Sequence, residues 1–376
     1  MENQEVLRSK PLSYEASKAV LKSLRLETRE AINRRIPELR NVNSRLPYVL
    51  ENVVISDDFF ETDGRRWIIR PVWVQSSENP LRQVVDPEKS EVAIYQDTQN
   101  SDNPLKKVVG QRRRTATIRQ NKPRKETYYS LNKSPEEIWY QLFDEYVKNG
   151  TVVRGSLRFS GIPEFMKRKS QNEVDLKMKV TNLELDIYGT NDYDHFFRFI
   201  DLDVLENVKC VFGRNSLAIL DKPEIKTCKN LTVEFCFGSR PANFSNDKLL
   251  RLRNQHLQLE NYGLTLHELQ LLVQDWITAG RDIGTRFSWE PRTFDDVVDH
   301  LNRLKTHFGG VEAGSNLDYY FSNKKIHGNV ITLKMGEDRE LVMYRGESKT
   351  DYLSRTFEME VVASITATGT VPTSDV

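Results

Sequence analysis

Apolar positions in the first 50 residues recur with the spacing of helices. A first helix begins after the capping residue Ser13, and it buries one stripe of its surface. That stripe consists of Ala16, Val20, Leu21 and Leu24. A second short helix ends at Pro37, because proline clashes with the preceding turn. Its apolar residues are Ala31, Ile32 and Ile36. The pattern predicts a small helical hairpin in residues 1–50.

From residue 51 the apolar period changes to two, which is typical of strands. Val53 and Ile55 alternate with other residues, and residues 67–74 are rich in β-branched and aromatic side chains. Asp63-Gly64 lies between these runs and favours a tight turn. Residues 76–125 are polar and contain several prolines. We therefore expect a β-hairpin plus a long basic loop in residues 51–130.

Short apolar triplets recur after a capped helix that begins at Ser134 and has Glu137 in its capping box. Their first residues are spaced by 26, 25, 23 and 26 positions. The members are Leu157 and Phe159; Leu183, Leu185 and Ile187; Val208, Cys210 and Phe212; Leu231, Val233 and Phe235; Leu257 and Leu259. This spacing predicts a leucine-rich-repeat-like stack of short parallel strands with returning helices.

The repeats lack a regular asparagine ladder, so an ordinary α/β domain with five strands is the alternative. Two returning helices are expected. Their residues are Phe196, Phe197 and Ile200 for one, and Leu249, Leu250 and Leu252 for the other.

The remaining elements complete an α/β architecture. Two amphipathic helices begin at Thr265 and Thr293, with a further strand over residues 284–289, so residues 131–314 are predicted to be a repeat-like α/β domain. In residues 315–362 alternating positions predict an antiparallel hairpin across residues 335–338 and a third strand at 357–361. Residues 363–376 are predicted to be a disordered tail.

Composition narrows the class of protein. The chain has 376 residues, 38% hydrophobic and 29% charged, with a net charge of +1. It has no apolar run near the roughly 18 residues of a membrane span and no apolar stretch at its start. The three cysteines are too few for a disulfide framework. We expect no membrane partner and a cytoplasmic location, with the nucleus as an alternative.

One segment departs strongly from the neutral average. Between residues 106 and 125 there are nine basic residues and no acidic one. They are Lys106, Lys107, Arg112, Arg113, Arg114, Arg119, Lys122, Arg124 and Lys125. Since the whole chain carries +1, the rest of it carries −8. No aromatic residue is interleaved to stack on bases, so a solvated or self-docked loop is favoured over a nucleic-acid site.

Motifs for catalysis are missing from the sequence. It contains no H-E-x-x-H, no G-x-S-x-G, no phosphate-binding G-x-x-x-x-G-K-S/T and no G-x-G-x-x-G after a strand. We therefore expect a protein that is not an enzyme and that needs neither a cofactor nor a metal.

Four segments carry a family resemblance. Residues 11–56, PLSYEASKAVLKSLRLETREAINRRIPELRNVNSRLPYVLENVVIS, resemble the start of the nematode F-box C proteins. So do DGRRWIIR at 63–70, IWYQLFDEYVKNGTVVRGSLRF at 138–159, and LQLENYGLTLHELQLLVQDWITAGRDIGTRFSWE at 257–290. The resemblance follows the chain in order over roughly residues 11–362.

The resemblance implies a function. An F-box-like N-terminus docks a Skp-type adaptor of a cullin ubiquitin ligase, and the C-terminal domain captures an unknown protein target. Carried onto this sequence, the adaptor-binding residues are Pro11, Leu12, Val20, Leu21, Leu24, Ile32 and Ile36. The alternatives are a standalone interaction protein without ligase coupling, whose N-terminal apolar residues pack on the neighbouring strands, and a nucleic-acid binder acting through residues 106–125.

Overall fold

A computed structural model of the chain describes residues 13–24, 26–76, 83–97, 124–147, 150–168, 177–187, 197–212, 218–236, 246–290, 297–312, 327–347 and 355–364. The chain divides into two compact units. The first unit comprises Met1–Thr181 and Asp194–Val204, and the second comprises Asn182–Tyr193 and Leu205–Val376.

The first unit begins with short helices. They are α1 (Tyr14–Ser23), α2 (Leu26–Arg35), a 3₁₀ turn (Pro37–Leu39) and α3 (Arg40–Ser44). Ser13 caps α1 as predicted, because its side chain accepts a hydrogen bond from the Ala16 backbone at 3.2 Å. Helices α1 and α2 lie at the positions that the sequence predicts, and α3 is an additional short helix.

Among the described residues of the first unit, ten strands form two sheets. They are β1 (Val49–Leu50), β2 (Val53–Ile55), β3 (Phe59–Thr62), β4 (Arg65–Gln75), β5 (Gln83–Asp97), β6 (Arg124–Leu131), β7 (Val152–Val153), β8 (Leu157–Phe159), β9 (Met178–Val180) and β11 (Ile200–Asp201). The small sheet is parallel, in the order β1-β7-β9-β11. The larger one is mixed: β8 is parallel to β2, and β2 to β6 run antiparallel.

The predicted turn at Asp63-Gly64 joins β3 to β4, and both residues have positive φ, 48° and 78°. The predicted long loop needs correction, because β5 occupies residues 83–97. Val92 and Ile94 of β5 lie opposite Ile69 and Trp67 of β4, with the apolar Ala93 between them. This part of β5 is a short apolar run without alternation, so it carries no period-two signal.

Helix α4 (Pro135–Tyr146) covers the larger sheet of the first unit. Its capping box forms as predicted, with the Glu137 backbone donating to the Ser134 side chain and the Glu137 carboxylate accepting from the Ser134 backbone. Tyr146 lies 5.1 Å from Trp67 between ring centroids and 5.8 Å from Phe60. This aromatic cluster is the core between α4 and the larger sheet. Helix α5 (Glu164–Arg168) follows later in the chain.

The second unit contains one mixed sheet. Its strands are β10 (Asn182–Ile187), β12 (Asn207–Phe212), β13 (Asn230–Phe235), β14 (His256–Glu260), β15 (Arg286–Glu290), β16 (Val311–Glu312), β17 (His327–Lys334), β18 (Arg339–Glu347) and β19 (Arg355–Ala363). Strands β10 and β12 to β15 are parallel neighbours, and β15, β19, β18, β17 and β16 continue antiparallel in that order. The predicted C-terminal hairpin and third strand are confirmed.

Parallel order of the recurring triplets is confirmed within this unit. Leu183, Val208, Leu231 and Leu257 are buried and occupy one row of the register. The described helices of the unit are α6 (Pro223–Thr227), α7 (Asn246–Leu250), α8 (Leu266–Ala279) and α9 (Val297–Phe308). Helix α9 packs on β17, β18 and β19.

The structure is therefore mixed α/β, but a leucine-rich-repeat-like stack is not confirmed. The first triplet, in β8, belongs to the first unit and pairs with β2. Ile200, expected in a returning helix, lies in β11 and pairs with Met178. The sequence could not predict this strand, because two residues are too few to show a period. Phe196 lies outside the described residues.

Candidate functional site

The predicted adaptor-binding residues are divided between surface and core. Val20 and Ile36 are 42% and 43% exposed, whereas Leu21 is only 2% exposed and packs in the interior. Leu24 and Ile32 are half-buried, and Pro11 and Leu12 lie outside the described residues. Tyr14, which the sequence pattern did not single out, is also exposed. We call Tyr14, Val20 and Ile36 the exposed apolar set.

A buried arginine anchors these helices to the chain that follows them. Arg29 of α2 donates to the carbonyl oxygens of Pro47 at 2.7 Å, Asn43 at 2.9 Å and Leu46 at 2.7 Å, and to the Asn43 side chain. Its guanidinium lies 4.0 Å from the ring centroid of Tyr48. Because Arg29, Leu21 and Leu26 hold the helices, the exposed apolar set is left available at the surface.

The basic segment lies almost wholly outside the described residues, from Lys106 through Lys122. Arg124 and Lys125 begin β6, where their backbone lies opposite Asp97 and Gln96 of β5 in the strand register. Binding of nucleic acid by this segment stays a prediction.

The second unit presents a polar face, formed by alternate residues of its parallel strands. Successive residues alternate between half-exposed and buried in β12, β13 and β14. The polar members are Asn182, Glu184, Asp186, Asn207, Lys209, Asn230, Thr232, Glu234, His256, Gln258, Glu260, Arg286, Ser288 and Glu290. Five of them are acidic and two are basic, so the face has an acidic excess.

An asparagine ladder runs across the first row of this face. Asn207 donates its side-chain amide to Asn182 Oδ1 at 2.6 Å, and Asn230 donates to Asn207 Oδ1 at 2.6 Å. The expectation that the repeats lack such a ladder is therefore wrong for these three strands. The signal was present in the sequence, because an asparagine immediately precedes each of Leu183, Val208 and Leu231.

Three charged residues of the polar face are paired with one another. Lys209 Nζ lies 2.8 Å from Glu234 and 3.0 Å from Glu260. Burial lowers the pKa of Lys209, but the two carboxylates outweigh this effect and raise its pKa overall. The lysine therefore stays charged and cross-links three strands.

A second polar cluster lies where the parallel strands meet β19. His256 Nε2 lies 2.9 Å from Ser288 Oγ, and Ser288 donates to Glu358 at 2.6 Å. Arg286 also binds Glu358, at 2.7 Å. The serine proton is directed at a carboxylate and not at the imidazole, so the order of groups differs from that of a nucleophilic triad.

Two features are absent from the residues that the structure describes. No group of three or more His, Cys, Asp or Glu side chains is placed to hold a metal ion. Among the same residues, no helix combines the length and the apolar character needed to cross a bilayer.

The five parallel strands lie in the segment that comparison with known families identifies. Residues 170–292 match the family model of DUF3557, a domain of unknown function. The DUF3557 segment spans about a third of the chain and contains the whole polar face. No curated protein and no solved structure matches the chain. The DUF3557 match lies outside residues 11–56, so the F-box-like resemblance of the N-terminus stays a prediction.

Proposed function

We propose that this protein is a non-enzymatic interaction protein that serves as the substrate receptor of a cullin ubiquitin ligase. The N-terminal helices bind a Skp-type adaptor, and the second unit binds the target protein. The resemblance of residues 11–56 to nematode F-box C proteins supports the first part. The extended polar face of the DUF3557 segment supports the second.

The observation that carries the proposal is the exposed apolar set on the N-terminal helices. Val20 of α1 and Ile36, which directly follows α2, remain partly in solvent while Leu21 and Leu26 of these two helices are buried. Full burial of such a side chain gains about 1.5 to 3 kcal/mol. Because Val20 and Ile36 are 42% and 43% exposed, burying what remains of both gains about 1 to 2.5 kcal/mol, which is about tenfold or more in affinity. Small, anchored helices with exposed apolar residues are suited to docking on another protein.

The polar face of the second unit provides a surface for a target. Parallel strands in register, spaced by about 23 to 30 residues along the chain, support a leucine-rich-repeat-like arrangement of the DUF3557 segment. Side chains cross-linked by the asparagine ladder and by Lys209 present a fixed pattern of charge. The acidic excess of this pattern favours a target with a basic surface.

Affinity purification of the tagged, intact chain followed by mass spectrometry tests the proposal. We expect adaptor and cullin peptides with the wild type and none with the double variant Val20→Asp/Ile36→Asp. Leu271→Asp is the matched control, because Leu271 is a 39% exposed helical leucine in the second unit. All three proteins should melt at closely similar temperatures, since none of the substituted residues is buried.

Absence of adaptor and cullin from the wild-type purification would contradict ligase coupling and favour a standalone interaction protein. Equal recovery with the wild type and the double variant would show that the adaptor binds elsewhere.

A further inference from the structure

The first unit contains a cavity of about 480 Å³ that the proposed function does not use. Its walls come from α2, α4, the residue before β1, and the strands β4 to β6. The lining residues are Glu30, Asn33, Arg34, Tyr48, Arg65, Trp67, Ile94, Gln96, Thr127, Tyr129, Glu145 and Tyr146. From its chemistry we propose that this cavity binds a guanidinium group.

Local structure explains why these side chains meet. Glu30, Asn33 and Arg34 are three and four residues apart on α2, so they share one face of that helix. Trp67, Ile94 and Thr127 form one cross-strand row of β4, β5 and β6, and their side chains point to the same side of the sheet. The cavity lies among ordered elements of one unit.

The wall carries two acidic residues and two arginines, and Glu145 is its carboxylate without a direct ion pair among the described residues. Arg65 is neutralised by Glu30, whose two oxygens lie 3.0 and 2.9 Å from Arg65 Nη1, and Tyr146 also donates to Glu30 at 3.0 Å. Glu145 accepts a hydrogen bond from the Tyr48 hydroxyl at 2.8 Å, and the guanidinium of Arg29, which lies over the Tyr48 ring, attracts its charge without a direct ion pair. Helices α2 and α4 both end at this wall, and helix C-termini carry partial negative charge.

The hydrogen-bonding groups require a donor from the ligand. Asn33 Oδ1 is buried and has no hydrogen-bond donor among the residues that the structure describes. An unsatisfied buried acceptor is costly, and a ligand N–H group would satisfy it. Glu145 and Asn33 come from different helices, α4 and α2, and both line the cavity.

Aromatic rings make the planar guanidinium a better fit than a compact ammonium. Tyr48, Trp67, Tyr129 and Tyr146 line the cavity, and guanidinium groups stack on aromatic faces. Two of these rings already contact an arginine of the chain: Arg29 lies 4.0 Å from the Tyr48 ring centroid and Arg65 5.4 Å from that of Trp67, so a further guanidinium would stack on Tyr129 or Tyr146. Arg34 is the opposing feature, because its exposed positive charge lies at the rim.

Calorimetric titration of the intact chain with N-acetyl-L-arginine amide tests the proposal. We expect saturable binding at one site. The affinity for the citrulline analogue, which keeps the shape of arginine but has no charge, should be at least about tenfold weaker. The lysine analogue should also bind more weakly than arginine. No binding of arginine, or equal binding of citrulline, would overturn the proposal, and tighter binding of lysine would exclude a guanidinium site.

Variants of the wall locate the site. Glu145→Gln should weaken arginine binding about tenfold, since a charge-assisted hydrogen bond becomes a neutral one. Asp144→Asn is the matched control, because Asp144 is the exposed neighbour on α4 and does not line the cavity; it should change affinity by less than about twofold. Arg34→Gln should strengthen binding by about twofold or more by removing a like charge. Unchanged binding in Glu145→Gln, or weaker binding in Arg34→Gln, would contradict the assignment.

The source of the guanidinium is distinguished by two further titrations, free L-arginine and a capped glycine-rich pentapeptide with one central arginine. Binding of the free amino acid alone would assign a small-molecule ligand. Binding of the peptide would assign an arginine side chain of another protein. Failure of both, with the adaptor still recovered by the wild type, would overturn this inference and leave the proposed function intact.

Discussion

Arg29 shows how a single residue fixes the N-terminal segment. It is almost completely buried, although it is a charged residue of α2 and not one of the apolar positions from which the helix was predicted. Burial lowers the pKa of Arg29, but its four donated hydrogen bonds satisfy the guanidinium and three backbone carbonyls at once. Such a residue stabilises one arrangement of the helices and the chain after them.

We predict that Arg29→Met destabilises the protein by about 3 kcal/mol or more, because it leaves buried carbonyl oxygens without donors. Arg29→Lys should recover only part of this loss, since an ammonium lacks the planar fork of donors. Chemical denaturation measures both values, with the exposed Arg35→Met of the same helix as the control. A loss no larger than that of the control would show that the network contributes nothing to stability.

The ionisation of Tyr48 gives a prediction on pH dependence. Burial raises the pKa of Tyr48 to about 12, and its hydrogen bond to Glu145 acts in the same direction. In the unfolded chain a tyrosine titrates near pH 10, so the folded state keeps this proton between about pH 10 and 12 while the unfolded state loses it. The corresponding stability is complete below pH 10 and is lost as the pH rises through this window.

Denaturation of the wild type at several pH values from 8 to 11.5 should show this fall in stability. Tyr48→Phe should make the fall less steep, whereas Tyr14→Phe, at an exposed position, should leave it unchanged. Identical slopes for the wild type and Tyr48→Phe would contradict the role of Tyr48.

At the scale of elements, the parallel strands are the part of the fold that the sequence predicted best. Alternation such as Leu231, Val233 and Phe235 survives in the sequence because one side of each strand is buried. Two-residue strands such as β1 and β7 could not be predicted, because they are too short to show any period. Strand β5 was missed because Pro87 and the charged residues around it suggested a loop.

The same limit applies to the candidate site. Helical periodicity predicted that Val20, Leu21 and Leu24 are apolar positions of one helix. It could not predict that Leu21 faces the interior and Val20 faces solvent, because that choice depends on which tertiary contacts the helix makes. The cavity of the first unit was not predictable for a similar reason, since its lining comes from elements far apart in the sequence.

The asparagine ladder gives the prediction at this scale. Asn207 both donates to Asn182 and accepts from Asn230, so Asn207→Ala breaks two hydrogen bonds. We expect a loss of about 1 to 3 kcal/mol in the free energy of unfolding. Asn230→Ala breaks the one ladder bond that it shares with Asn207 and should cost less. A larger loss for Asn230→Ala would show that the ladder is not the stabilising feature.

At the scale of the whole molecule, charge is distributed unevenly although the net charge is +1. Nine basic residues lie in one segment, and the polar face of the second unit has an acidic excess. A nucleic-acid site contacting six phosphates would lose about a thousandfold in affinity between 50 and 200 mM salt. We expect no such binding. A steep salt-dependent shift of labelled RNA or DNA, removed by changing Arg112, Arg113 and Arg114 to Gln, would contradict this interpretation.

Binding of the adaptor by the N-terminal helices is tested by titration of a purified Skp-type adaptor into the purified, intact chain. We predict saturable binding of one adaptor per chain with a Kd of about 1 µM or tighter, and a loss of about tenfold or more in Val20→Asp/Ile36→Asp at unchanged melting temperature. No heat of binding at 100 µM adaptor, roughly a hundred times the expected Kd, or equal affinities of the wild type and the double variant, would contradict it.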